Sequence, residues 1–188
     1  MPTLREVATS LFGAYRLAMM DPRGLEYFDR STAAAIRSFF AAVLMLPFYT
    51  VLVLLRLGDD EVTVSLPALL LIEGIAYVIS WTAFALVMDE LSRFLDRGDR
   101  YPVFLSAYNW SAVLQMGVYL PAIALGQSGL LPAGAGETLM FTATLVVLAY
   151  QWFITQVALE LPGFTAAGLV LLDLILSVFI SGAADGML

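Results

Sequence analysis

The chain has 188 residues, 61% of them hydrophobic and only 13% charged, with a formal net charge of −7 and a mean hydropathy of +0.87. Soluble domains carry about 25% charged residues, so this chain has too few to cover a water-facing surface and reads as an integral membrane protein. Cys and His are absent, which removes a disulfide framework and a thiolate nucleophile and the commonest general base and metal ligand.

Near the N-terminus, Leu4, Val7, Leu11, Tyr15 and Ala18 recur at spacings of three and four, with Phe12 and Met19 beside them. Arg5, Glu6, Thr9, Ser10 and Arg16 fill the remaining positions. This pattern predicts an amphipathic helix without the compact apolar core and small-residue cleavage site of a signal peptide. Pro22 disfavours helix at Asp21, so residues 1–22 form a unit of their own. The expectation is a helix lying in the cytoplasmic headgroup layer; a helix packed under the membrane bundle is the alternative.

Residues 23–188 read as one membrane domain. A span needs about 20 mostly apolar residues, and five such stretches follow, near 33–55, 66–88, 103–125, 138–159 and 164–184. Pro67 suits the first turn of the second, Pro47 is expected to kink the first and Pro121 the end of the third. The breaks "RLGDDEVTVS", "DELSRFLDRGDRYP", "GQSGLLPAGAGE" and "ELPG" are short and rich in helix breakers. Barrel strands would be shorter and alternate in polarity. The fold class is therefore all-α, a polytopic bundle of five spans behind an N-terminal interfacial helix.

All nine basic residues are arginines. Arg5, Arg16, Arg23, Arg30 and Arg37 precede or open the first span, and Arg93, Arg97 and Arg100 lie between the second and third. Arg56 alone falls on the other side. This asymmetry places the N-terminus in the cytoplasm and the C-terminus, after Asp185, outside. Guanidinium groups fork onto phosphates, which makes Arg5, Arg16, Arg23, Arg93, Arg97 and Arg100 candidate contacts to lipid headgroups.

Ionisable or amide side chains within spans are functional hypotheses by default. At 1.5 Å per residue, Asp173 lies roughly 14 Å from the cytoplasmic edge, and Asn109 and Gln151 roughly 10 Å. Glu73 and Gln115 lie roughly 10 and 12 Å from the outer edge by the same rise. Two polar levels are expected: Asp173 with Asn109 and Gln151, and Glu73 with Gln115. No basic residue lies deep in a span, so Asp173 is expected to be neutral and to donate to Gln151 or Asn109. Ser177 and Ser181 follow Asp173 at helical spacing and form a small-xxx-small pair.

The order of these features resembles the Yip family of five-span membrane proteins, in its bacterial branch. The likeness rests on the amphipathic start "LREVATSLFGAYRLAMMDP" and on the proline in "AAVLMLPFY". It extends through "ALVMDELSRFLDRGDRYPVFLSAYNWSAVLQMGVYLPAI" and "LAYQWFITQVALELPGFTAAGLVLLDLILSVF". Asp173, Gln151 and Gln156 depart from the mostly aliphatic spans of that family. The resemblance, the amphipathic N-terminus and the absence of catalytic residue types together imply a non-enzymatic protein of the bacterial inner membrane, and the arginine asymmetry makes its C-terminus periplasmic. Its role would be to organise membrane or scaffold partners, and it transfers no functional residue.

The other expectation is a small-solute or proton-coupled transporter or channel subunit using the intramembrane carboxylates. The partners expected are the lipid bilayer and a protein partner or further copies of the chain. No basic run interleaved with aromatics suggests nucleic acid. No phosphate-cradling Gly-rich loop and no Gly-x-Gly-Asp sequence beside an acid is present, so no catalytic residues, cofactor or metal are expected. The acids at 59–61 could hold a divalent cation through oxygen ligands, but they read first as a solvated loop.

Overall fold

The computed structural model describes residues 1–59 and 64–188. Among them all regular structure is helical: α1 (Leu4–Ala18), α2 (Thr32–Ser38), α3 (Phe40–Asp59), α4 (Leu66–Phe94), α5 (Tyr101–Gln127), α6 (Ala135–Leu159) and α7 (Gly163–Asp185). Short 3-10 turns cover Pro22–Tyr27 and Gly98–Arg100. The acidic run at 59–61 lies outside the described side chains.

Among the described residues, four stretches are long and apolar enough to cross a membrane: Thr32–Leu54, Leu66–Phe94, Ala135–Leu159 and Gly163–Asp185. Their surfaces fit that solvent. Leu71, Leu86, Phe141, Val178 and Phe179 are exposed, while Glu73, Asn109 and Asp173 are buried. The helix α5, expected as a span, is 27 residues long and thus about 40 Å, but it is more polar than the other four. It packs against α1, α2, α3 and α6, and its residues Val103–Ala107 and Asn109–Ser111 are all buried. A helix enclosed by protein can carry Asn109, Ser111 and Gln115, which one facing lipid cannot.

Helix ends follow local chemistry. The α1 N-terminus is a capping box: Glu6 N donates to Thr3 Oγ1 at 3.2 Å and Thr3 N to Glu6 Oε2 at 2.7 Å. Asp21 is extended before Pro22, as expected. The other ends of α1, α4 and α6 turn off through non-glycine residues in the left-handed region: Met20 (φ 56°), Asp96 (φ 56°) and Glu160 (φ 50°). At all three a bond runs back over the left-handed residue, from Asp21 N to Arg16 O at 3.1 Å, from Arg97 N to Ser92 O at 2.7 Å and from Leu161 N to Gln156 O at 3.1 Å, in the manner of a Schellman cap.

The first expected span is interrupted at Phe39, while helical structure continues through Pro47. Ser38 Oγ donates to Ala35 O at 2.6 Å, and Phe39 N donates to Ile36 O at 3.3 Å. A side-chain hydroxyl that competes for a helix carbonyl bends the helix there. The second expected span runs on to Phe94, absorbing part of the expected loop.

The α1 helix is folded back under the bundle. Gly13, Ala14 and Leu17 are buried, and Tyr150 of α6 donates to Ala14 O at 2.7 Å. The following turn packs onto it glycine to glycine. A Cβ on Gly24 would stand 2.7 Å from Gly13 O, and one on Gly13 would stand 2.8 Å from Tyr27 Cβ.

Candidate functional site: a polar cluster between three helices

Asp173 sits near the middle of α7, 6% exposed. Its Oδ2 accepts from Tyr108 of α5 at 2.8 Å and from Gln151 of α6 at 3.3 Å. Three helices therefore converge on one carboxyl oxygen, with no basic side chain bonded to it. The sequence expectation had Asp173 donating to Gln151 or Asn109; here the carboxyl oxygen accepts, and the principal donor is a tyrosine.

The structure brings Asp173 and Gln151 together but directs Asn109 elsewhere. Neighbouring residues on a helix point about 100° apart, so Tyr108 faces α7 while Asn109 faces α2. There Asn109 Nδ2 donates to Ser38 Oγ at 2.8 Å, at the residue beside the helix interruption. Glu73 and Gln115 are likewise apart in bonding. Tyr49 of α3 donates to Glu73 at 2.5 Å, whereas Gln115 Nε2 donates within its own helix to Ser111 Oγ at 3.1 Å. Ser177 and Ser181 are exposed.

Tyrosine hydroxyls are the residues that depth reasoning overlooked. Besides Tyr108, Tyr49 and Tyr150, Tyr77 of α4 donates to Ala42 O of α3 at 2.5 Å and Tyr101 of α5 to Ala85 O of α4 at 2.7 Å. A tyrosine adds apolar surface and one donor at the end of a long ring, which suits joining helices across hydrocarbon. Their signal was present, since each lies on or beside an expected span.

Most candidate headgroup arginines have partners inside the chain. Arg16 is ion-paired with Asp21, and its guanidinium stands 5.8 Å over the Tyr27 ring. Arg23 reaches Asp21 at 3.1 Å, Arg93 reaches Asp89 at 2.6 Å and Arg100 reaches Glu160 at 2.7 Å. Arg97 donates to Asp96 O at 3.0 Å. Arg5 is exposed. Asp21 lies outside the spans, and its carboxyl is held down at about 2, first by the hydrogen bond from Arg16 and then by Arg23. No metal-holding group of acids is present among the described residues.

Fold and cluster together define an all-helical protein with four helices of membrane-spanning character and a buried polar junction. No protein-family profile, characterised protein or solved structure matches the chain.

Proposed function

We propose that the chain is a non-enzymatic protein of the bacterial inner membrane, crossing it five times with α5 as the central span, N-terminus in the cytoplasm, and organising membrane or scaffolding partners there. The Yip-like order of its features supports this reading. The observation that carries it is the double apolar face of α1. One stripe, through Gly13, Ala14 and Leu17, is docked on the bundle. The flanking stripe of Leu4, Ala8, Phe12, Tyr15 and Met19 is exposed. At 100° per residue these five positions fall within one quadrant, while Arg5, Arg16 and Thr9 lie beyond them. Water would penalise such a stripe and the headgroup–acyl boundary would cover it. The two sequence expectations for this helix are then compatible, with one face packed under the bundle and the adjacent face in the interface.

The chain has no cysteine, so a single introduced thiol can carry an environment-sensitive dye. In liposomes, Phe12→Cys labelled with such a dye is expected to emit as from an apolar site, and Arg23→Cys as from water. Equal, water-like emission from both would remove the interfacial role of α1. For scaffolding, crosslinking in native membranes should capture one stoichiometric protein partner or a second copy.

A second reading is a proton-coupled transport subunit. It is favoured by the burial of Asp173 without a cationic partner. Proton flux into liposomes that Asp173→Asn abolishes would establish it; absent flux in the unaltered protein would dismiss it.

A further inference from the structure

Where α1, α2 and α5 meet, a cavity of about 200 Å³ opens, several times the about 30 Å³ that one water occupies. It is separate from the Asp173 cluster and does not depend on the scaffolding reading. Its charged lining is balanced: Arg5 and Arg37 on one account, Glu6 and Asp29 on the other. Arg37 Nη2 stands 2.9 Å from Glu6 Oε1, so the two signs alternate within one small space. A bare anion placed here meets two carboxylates, and a bare cation meets two guanidinium groups. A ligand carrying both signs a few atoms apart is attracted by both sets.

The neutral lining suits the same ligand. Thr9 and Ser10 offer hydroxyls, and Tyr27 and Trp110 complete the wall. Ser106 also lines the cavity. It is 3% exposed, and its hydroxyl has no hydrogen-bond partner among the described residues. Buried polar atoms are ordinarily bonded, so this floor is short of a polar partner from outside the chain.

Position narrows the ligand further. Ser106 and Trp110 lie in the second and third turns of α5, roughly 8 and 14 Å along the helix from Tyr101. The cavity thus runs from the exposed start of α1 down to the level of Ser106 and the buried Trp110 in α5.

We propose that this cavity binds a phosphate–ammonium zwitterion of the phosphoethanolamine type, borne on a lipid or free. The phosphate is received by Arg5 and Arg37, and the ammonium by Glu6 and Asp29. The Ser106 hydroxyl bonds the phosphate oxygens at the floor.

The test uses the purified full chain in two arms. In detergent, calorimetry compares O-phosphoethanolamine with inorganic phosphate and with ethanolamine. In nanodiscs of equal phosphatidylethanolamine and phosphatidylglycerol, native mass spectrometry counts the lipids retained. The expected result is at least tenfold tighter binding of the zwitterion than of either half, enrichment of phosphatidylethanolamine, or both. Binding in the first arm alone identifies a free ligand, and enrichment in the second identifies the lipid. Arg37→Gln should reduce the signal about tenfold. Ser106→Ala should reduce it severalfold with the melting temperature unchanged or raised, since the lost hydroxyl had no partner among the described residues. Asp99→Asn, exposed and outside the cavity, should change nothing. No signal in either arm, phosphate binding as tightly as the zwitterion, or unaltered binding by Ser106→Ala would each overturn the assignment.

Discussion

Tyr108 of α5 donates its hydroxyl to a carboxyl oxygen of Asp173 on α7 across 2.8 Å. Hydrogen bonds between membrane helices average about 0.6 kcal/mol and reach about 1.7, so Tyr108→Phe should cost about 1 kcal/mol. Asp173→Asn retains an acceptor and should cost less. Asp173→Leu strands both Tyr108 and Gln151 and should cost about 1–3 kcal/mol. In the double variant Tyr108→Phe with Asp173→Leu, the loss should be smaller than the sum of the two singles. Strictly additive losses in detergent unfolding titrations would show that the two residues are not coupled.

The contact of Gly13 with the turn at Gly24 predicts a contrast among glycines. Gly13→Ala and Gly24→Ala each force an atom to within 3 Å of neighbours that include backbone oxygen, an overpacking cost of about 1–3 kcal/mol. Gly74, inside α4, has nothing within 4 Å of an added Cβ. Gly74→Ala should therefore stabilise by up to about 1 kcal/mol through helix propensity. Thermal melts of the three variants decide the matter, and similar melting of Gly13→Ala and Gly74→Ala would refute the contact.

Asp96 and Glu160 share a left-handed backbone but differ in their side chains. Asp96 is exposed at φ 56°, and Asp96→Gly relieves a left-handed penalty of about 1 kcal/mol. Glu160→Gly relieves a similar penalty but removes the partner of Arg100 at 2.7 Å. With Glu160 56% exposed, that pair is worth about 0–1 kcal/mol. Asp96→Gly should raise the melting temperature, and Glu160→Gly should raise it less. The reverse order would contradict the ranking.

Asp21 makes the docked N-terminus sensitive to acid. Its carboxyl is held at about 2 in the folded chain, below the roughly 3.9 of a free aspartate. A depressed value means that its contribution is present above about 4 and is lost as pH falls through about 2. Cleavage beside Leu17 or Leu25, followed with an acid-tolerant protease that cuts next to apolar residues, should accelerate across that interval. Asp21→Asn should show rapid cleavage at every pH. A cleavage rate independent of pH in the unaltered protein would argue against the ion pair with Arg16.

Much of the helical order was readable in the chain. Pro67 stands in the first turn of α4, and the chain is extended at Asp21, before Pro22. The interruption at Phe39 was not readable, because it involves a hydroxyl on Ser38 held from α5 by Asn109. Depth alone grouped Asp173 with Gln151, which do meet, and equally with Asn109, which does not. The tyrosines went unread as donors because hydropathy patterns record their rings and not where the hydroxyls end.

What the amino-acid sequence determined by itself was the solvent class and the helical character of the chain. Long apolar runs need every backbone group bonded within the segment, and helices meet that need locally. What only the tertiary structure decided was the set of polar partners. That choice depends on the rotation of each helix about its axis. A turn of 100° between neighbours sends Tyr108 to Asp173 and Asn109 to Ser38, at almost the same depth in the bundle.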